Sequence, residues 1–132
     1  MKVLVADGDG ALAAAGVVFL SMWGHEVAVA TDGLDALRKA RAWKPDVVVA
    51  EMRLARMDGV ALTAAIGTSA ETHATRVVVS CRPGDDHLRR IAEGLGAAAC
   101  VGSPIDVGEL GRVLARLAGP NPRDGRRRRG TR

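Results

Sequence analysis

The sequence predicts an α/β protein in which helices cover both faces of a parallel sheet, and three observations predict it. Five short runs rich in β-branched and small apolar residues alternate with helical patterns over about 118 residues. The first and third runs are apolar almost throughout, as strands buried on both faces are. The 132 residues, 48% of them hydrophobic, suffice for one core and are too few for two full domains.

The first βα unit joins an apolar strand to an apolar helix. The strand is predicted at 2–6 and the helix at 10–23, and Gly24 ends the helix in a position that glycine favours. Apolar residues recur at helical spacing and predict the buried face: Leu12, Ala15, Val18, Phe19 and Met22. Trp23, at the end of the helix, is also predicted to pack inward.

The second helix is bounded more clearly by its sequence. A strand at 25–30 precedes Thr31 and Asp32, which cap a helix that runs to about Trp43. The next strand, at 46–50, is apolar after its first residue, which favours a central position in the sheet.

The second half of the chain continues the alternation. Three further helices are predicted, from Asp58 to about Ile66, from Asp85 or Asp86 to Leu95, and from Asp106 to Ala118. Two further strands are predicted, at 76–80 and, more weakly marked, at 98–102. Right-handed crossovers between parallel strands then bring the carboxyl ends of all five strands to one edge of the sheet.

The basic charge of the chain lies in its last fourteen residues. They hold six arginines and one aspartate, whereas the rest of the chain carries one net negative charge. Residues 1–118 are therefore predicted to form the domain, and residues 119–132 a basic, disordered tail. Within the tail, the run Arg126–Arg129 would attract nucleic-acid phosphates non-specifically, without aromatic residues to stack on bases.

The sequence shows no sign of membrane insertion or export. No apolar run approaches the roughly 18 to 20 residues of a membrane span, and the first residues lack the layout of a signal peptide. We therefore expect a cytoplasmic protein. The two cysteines, Cys81 and Cys100, lack metal-type spacing and are predicted to be reduced structural thiols.

The candidate site residues follow four of the five predicted strands. Asp7 and Asp9 follow the first strand, Glu51 the third, Ser80 the fourth and Ser103 the fifth. In open parallel sheets the ligand site lies at this edge. The acidic residues of such an edge are suited to a divalent cation, although each of them would also serve as a cap for the following helix.

The segment 44–59 carries the most specific motif. It reads Lys-Pro-Asp, an apolar strand, Glu51, a short loop and then Met-Asp-Gly, and supporting motifs occupy 23–27, 30–37 and 101–106. In this order and spacing, residues 1–118 resemble the receiver domains of bacterial two-component response regulators. The resemblance implies a flavodoxin-like (CheY-like) doubly wound sheet with the strand order 2-1-3-4-5.

The family's metal-binding and phosphoacceptor positions are altered in this chain. Asp7 matches the first of two adjacent metal-binding acids, but Gly8 replaces the second and Asp9 follows one residue later. Glu51 replaces the phosphoacceptor aspartate. The resemblance implies at most a weakly bound Mg²⁺, or none, with Asp7, Glu51 and the backbone carbonyl of Arg53 as ligands.

The remaining family positions are partly kept. Ser80 matches the switch hydroxyl, whereas Ser103 replaces the lysine that contacts the phosphoryl group and Cys100 replaces the aromatic switch residue. Phosphotransfer depends on positioning and on neutralisation of charge, so these losses indicate a degenerate receiver, or pseudo-receiver, that is not an enzyme.

Two hypotheses remain open for Glu51: it mimics the phosphorylated state, or it is a tolerated carboxylate in an inert pocket. A mimic would accept a hydrogen bond from the Ser80 hydroxyl. Its cationic partner would have to come from nearby, with Arg53, Arg56 or Arg82 as candidates.

The resemblance also implies how such a protein acts. A stand-alone atypical receiver would signal through contacts with a histidine kinase, another regulator or a second copy of itself. The family's partner surface corresponds to residues 86–95, 98–102 and 106–117, which would also support a homodimer. One alternative is a Mg²⁺-dependent phosphatase of the haloacid dehalogenase type that uses Asp7 and Asp9; another is a binder of nucleic acid or acidic partners through the arginine tail.

Overall fold

The computed structural model describes residues 1–119 and, for residues 11 and 12, the backbone alone. Strands and helices alternate along these residues, with bounds that differ from the predicted ones by at most two residues. In chain order they are β1 (Lys2–Ala6), α1 (Gly10–Met22), β2 (Glu26–Ala30), α2 (Gly33–Trp43), β3 (Val47–Glu51), α3 (Gly59–Thr68), β4 (Arg76–Cys81), α4 (Asp86–Gly94), β5 (Ala99–Gly102) and α5 (Val107–Leu117).

The strands form one parallel sheet in the order β2-β1-β3-β4-β5, which confirms the order that the resemblance implied. At the carboxyl edge, Glu51 of β3 pairs with Ser80 of β4, which pairs with Val101 of β5. Because all strands run in one direction, the residues that follow them meet at this edge.

The sheet separates two apolar cores. Alternate strand side chains point to opposite faces, so Val48 lies in the core covered by α2, α3 and α4, whereas Val49 lies in the core covered by α1 and α5. The first core is completed by helix residues such as Leu62 and Ile66, and the second by Leu20 and Leu114, all fully buried. This three-layer arrangement explains why β1 and β3 are apolar without alternation.

The predicted buried face of α1 is wrong. Val18, Phe19 and Met22 are exposed, and the helix instead buries Ala13 and Leu20. Both sets have helical spacing, because α1 is apolar around its whole circumference. Periodicity therefore identified a helix but contained no information on which side of it faces the sheet.

The two tryptophans differ in their surroundings. Trp43 is half-buried against the core on the α2 side. Trp23 is about half exposed, and its ring lies on α5, where any side chain at Gly111 would clash with it. The inward packing predicted for Trp23 is thus replaced by a surface contact between α1 and α5.

Three of the predicted helix caps form as expected. The carboxylates of Asp32, Asp58 and Asp106 accept hydrogen bonds of 2.8 to 3.0 Å from backbone N–H groups three residues later. Asp85 precedes α4 but makes no such side-chain cap. Its carboxylate instead accepts hydrogen bonds from the Arg53 side chain and from the backbone N–H of Arg82.

Two further predictions concern the arginine tail and the absence of a membrane span. The arginine run Arg126–Arg129 lies outside the described residues. Among residues 1–119, no helix is long and apolar enough to cross a membrane.

Candidate functional site

A cavity of about 630 Å³ opens at the carboxyl edge of the sheet. Its floor is apolar and extends between α1 and α5, where it is lined by Val5, Leu20 and Leu110. Its polar wall brings together the residues that sequence analysis placed at this edge, and it adds an arginine: Asp7, Asp9, Glu51, Ser80, Ser103 and Arg82. The alternation of strands and helices suffices to explain this convergence.

The carboxyl groups of Asp7 and Glu51 are in direct contact at the centre of the wall. Burial, a hydrogen bond with Asp7 and the charge of Asp7 together raise the pKa of Glu51 to about 7. The Gly8 backbone N–H and the charge of Arg82 act in the opposite direction, but they do not offset the increase. The Glu51 carboxyl group is therefore partly protonated near neutral pH.

Asp7 is the more firmly held of the two acids after β1. It is 4% exposed, and its carboxylate accepts a 2.7 Å hydrogen bond from the backbone N–H of Asp9. Asp9 itself is exposed at the start of α1, where its carbonyl accepts a hydrogen bond from Ala13. The two acids thus differ in role, because one forms the wall and the other lies at its rim.

Ser80 is 2% exposed, and among residues 1–119 its hydroxyl has no hydrogen-bond partner. The bond from Ser80 to Glu51 that a mimic of the phosphorylated state requires is therefore not formed. Glu51 is hydrogen-bonded to Asp7 and Gly8 instead. A buried hydroxyl without a partner is unfavourable, so Ser80 is an open hydrogen-bonding position in the cavity.

Two of the three candidate arginines are engaged with other carboxylates. Arg53 donates to Asp85 across 2.7 Å, and Arg56 lies 3.7 Å from Asp32. A hydrogen bond from the Arg82 backbone N–H, together with Arg53, lowers the pKa of Asp85 below its ordinary value.

The third candidate, Arg82, lines the cavity, and its charge acts on Glu51. Arg82 is thus the arginine of the three that reaches the site. The sequence alone placed it only in a group of three candidates.

Ser103 is half-buried in the cavity wall after β5. Its backbone N–H donates a 2.9 Å hydrogen bond to the carbonyl of Cys81, and its peptide bond to Pro104 is cis. The position supplies a hydroxyl to the cavity and no positive charge.

The donor set meets only part of what a divalent cation needs. Mg²⁺ is commonly held by one or two carboxylates together with water, and Asp7 and Glu51 supply two that repel each other. Within the described part of the chain, no group of three or more histidine, cysteine, aspartate or glutamate side chains is placed to hold a metal. Asp7 and Glu51 would be the side-chain ligands of a weakly held Mg²⁺, whose chemistry would be to supply positive charge to the cavity.

The loop after β3 is held by two close approaches that the sequence motif did not reveal. A Cβ at Gly59 would lie 2.8 Å from the Glu51 carbonyl oxygen, and the Gly59 N–H donates to the carbonyl of Met52. A Cβ at Gly33, where α2 begins, would overlap the backbone of Met57. Both glycines are thus required by the packing of the loop that positions Glu51.

Comparison of sequences identifies relatives of the chain. The family described as response regulator receiver domain matches residues 3–115. The transcriptional regulatory protein PrrA of Mycobacterium tuberculosis is 38% identical over 65 residues, which cover 49% of this chain and 28% of PrrA. A protein-glutamate methylesterase/protein-glutamine glutaminase of Myxococcus xanthus is 38% identical over 108 residues, 79% of this chain and 30% of that protein. The chain therefore spans less than a third of the length of these relatives.

Comparison of structures identifies solved proteins with the same fold. The receiver domain of NtrX from Brucella abortus superposes with a TM-score of 0.79 at 26% identity, covering 87% of this chain and 96% of that domain. The chemotaxis protein CheY4 of Vibrio cholerae superposes with a TM-score of 0.81 at 23% identity, covering 88% and 97%.

Proposed function

Since the chain belongs to the response regulator receiver domain family of two-component signalling, we propose that it is an atypical receiver that signals through protein contacts without forming an acyl phosphate. The observation that carries this proposal is the contact between Glu51 and Asp7. The side chain at the phosphoacceptor position is hydrogen-bonded to the acid that would otherwise help to hold the metal.

The charge balance of the cavity supports the proposal. Transfer of a phosphoryl group requires metal ions and fixed cations to neutralise its oxygens. Gly8 and Ser103 remove one metal-binding carboxylate and one ammonium group relative to the family pattern. Arg82 is the sole cationic side chain that lines the cavity within the described residues.

The length of the Glu51 side chain also supports the proposal that no acyl phosphate forms. Glutamate is one methylene longer than aspartate, so its carboxylate lies nearer to where a phosphoryl group would sit. In-line transfer is sensitive to displacements of about 1 Å. A nucleophile that is displaced, and that is also hydrogen-bonded to Asp7, is poorly placed for attack.

Incubation with a small acyl phosphate donor and Mg²⁺, followed by intact-mass measurement, tests the proposal. We expect no stable phosphorylated species from the unchanged chain. A substantial phosphorylated fraction that disappears in Glu51→Gln would contradict the proposal.

A matched positive control restores the family residues by the triple substitution Gly8→Asp, Glu51→Asp and Ser103→Lys. A Cβ at Gly8 meets only the Thr31 carbonyl oxygen, at 3.9 Å, so the backbone there has room for a side chain. We expect the triple variant to gain phosphate. That gain would assign the loss of phosphotransfer to these positions rather than to the assay.

The proposed partner surface is formed by α4, β5 and α5, and the proposed partner is a histidine kinase, another regulator or a second copy of the chain. Ile91 in α4 and Leu95 directly after it support this choice, because both are large apolar side chains that are about 40% exposed. Charged substitutions at these two positions are expected to weaken binding without unfolding the domain.

The family match favours the receiver over the phosphatase alternative, in which Asp7 would be the nucleophile. The cavity offers no support for that alternative, since Asp7 is hydrogen-bonded to Asp9 and Glu51. Measurement of phosphomonoester hydrolysis with Mg²⁺ in the unchanged chain and in Asp7→Asn distinguishes a receiver from a phosphatase. Activity that depends on Asp7 would favour the phosphatase.

A further inference from the structure

The two cysteines lie side by side at the edge of the sheet. Cys81 ends β4 and Cys100 lies in β5, and the strand register pairs Cys81 with Gly102 and Cys100 with Val79. Both side chains therefore point to the same face of the sheet, where they pack against the core under α4. Their sulphur atoms are 2.7 Å apart.

We propose that Cys81 and Cys100 form a disulfide bond in the presence of a two-electron oxidant. The pair would then be a modification site through which oxidation affects the carboxyl edge of the sheet, where the cavity opens. Non-bonded heavy atoms settle at roughly 3.5 to 4.0 Å, so the two sulphur atoms are held closer than ordinary packing requires. A disulfide bond is about 2.05 Å long. Bond formation therefore needs a further approach of only about 0.6 to 0.7 Å.

The reaction with hydrogen peroxide, as the oxidant, is balanced in two steps. The Cys100 sulphur attacks one peroxide oxygen, the O–O bond breaks, and a sulfenic acid and one water form. The Cys81 sulphur then attacks the sulfenic sulphur, the S–O bond breaks, and the oxygen leaves as a second water with the Cys81 proton. Two thiols have then lost two electrons and two protons to one peroxide.

The order of attack follows from the surroundings of Cys81. Burial and the neighbouring Cys100 raise the pKa of the Cys81 thiol to about 12. Because the thiolate is the nucleophile in such reactions, Cys81 is the poorer first attacker. It is assigned the second step, in which the sulfenic acid on Cys100 is already within contact distance.

The location of the pair gives oxidation a structural consequence. Ser80 precedes Cys81, and the Cys81 carbonyl accepts the hydrogen bond from Ser103. A bridge between the thiols would therefore fix the two strand ends that carry these serines relative to each other. Because the bridged residues are offset by two positions in the register, the disulfide would be strained and readily reduced, as regulatory disulfides are.

Peroxide treatment of the reduced full chain, followed by alkylation of the remaining thiols and intact-mass measurement, tests the proposal. We expect loss of two hydrogen masses, loss of both alkylation sites and recovery of both with dithiothreitol. Since the chain has only two cysteines, a monomeric product on a non-reducing gel assigns the bridge. Thiols that stay alkylatable, or bridges formed mainly between chains, would overturn the proposal.

Two controls test whether the disulfide forms because the fold holds the two thiols together, rather than through the general reactivity of thiols. Oxidation in native buffer is expected to be about tenfold or more faster than in urea, because the fold holds the thiols together; equal rates would count against the pair. Cys81→Ser is expected to trap a sulfenic acid on Cys100, and no trapped product would overturn the assigned order.

The inference does not rest on the proposed function. Glu51→Gln is expected to oxidise at the unchanged rate, since Glu51 lies on the opposite face of the sheet from the thiols. Failure of the phosphorylation test and failure of the oxidation test are therefore independent outcomes.

Discussion

The carboxyl group of Glu51 lies against Asp7 at the end of β3, and its pKa of about 7 is well above the ordinary value of 4.5. The folded protein thus binds this proton more tightly than the unfolded chain does. The stabilisation from Glu51 is fully present below pH 4.5 and is lost as the pH rises to about 7 and above. At neutral and higher pH, the ionised pair lowers the free energy of unfolding.

Glu51→Gln is expected to remove this pH dependence. The variant should be more stable than the unchanged chain at pH 8 by about 1 to 2 kcal/mol, a figure reduced from the full pKa shift because the carboxyl is partly screened by solvent. The difference should be small at pH 4.5. Urea unfolding at the two pH values measures it, with the exposed Glu71→Gln as control. If the free energy of unfolding changed equally with pH in Glu51→Gln and in the unchanged chain, the raised pKa could not be assigned to Glu51.

Gly8 is the second residue whose replacement has a defined expected effect. Gly8→Asp adds a third carboxylate beside Asp7 and Glu51, in space that a Cβ can occupy, and should tighten the binding of Mg²⁺. We expect the unchanged chain to bind Mg²⁺ with millimolar or weaker affinity. Thermal-shift titration reports binding to the folded state.

Gly8→Asn is the matched control for Gly8→Asp, because it adds the same shape without the charge. A shift in melting temperature at micromolar Mg²⁺ in the unchanged chain would contradict the expectation of weak binding. It would indicate that Asp9 replaces the missing acid.

At the scale of elements, α1 has two apolar faces that its sequence does not distinguish, and the structure buries the face that carries Leu20. Leu20→Ala removes a fully buried side chain from the core under α1 and α5 and should cost about 2 to 5 kcal/mol of unfolding free energy. Met22→Ala, two positions later on the same helix, changes a side chain that is 74% exposed and should cost about 0.5 kcal/mol or less. Chemical denaturation of both variants compares them. The reverse order of costs would mean that α1 buries the face predicted from the sequence.

At the scale of the whole molecule, the sequence separates a nearly neutral domain from a basic end. Removal of residues 120–132 takes away six arginines and one aspartate. We expect the truncated chain to lose any salt-sensitive binding to random-sequence duplex DNA and to keep its unfolding free energy. Fluorescence anisotropy at several salt concentrations measures the binding.

A chain with the same tail residues in scrambled order is the control for the truncation. It should bind duplex DNA as the unchanged chain does, because electrostatic attraction of this kind does not read sequence. Binding that survives truncation would place the contact in the domain instead.

Much of the architecture is visible in the sequence because its signals are local. A β-branched run such as Val47–Glu51 predicts a strand, and aspartates such as Asp32 and Asp58 predict helix starts, from the residues next to them alone. The strand order required the family resemblance, because neither runs nor caps state which strands are neighbours. The convergence of Asp7 and Ser80 at one edge then follows from parallel alternation.

The sequence by itself determined the elements, the caps of α2, α3 and α5, and the acidic and hydroxyl residues at the carboxyl edge of the sheet. Only the tertiary structure decided the buried face of α1, the partner of Glu51 and the contact between Cys81 and Cys100. The physical reason is distance along the chain. Secondary structure depends on residues within a turn or a strand, whereas each of these contacts joins segments whose approach, to within an ångström, depends on the packing of the whole sheet and its helices.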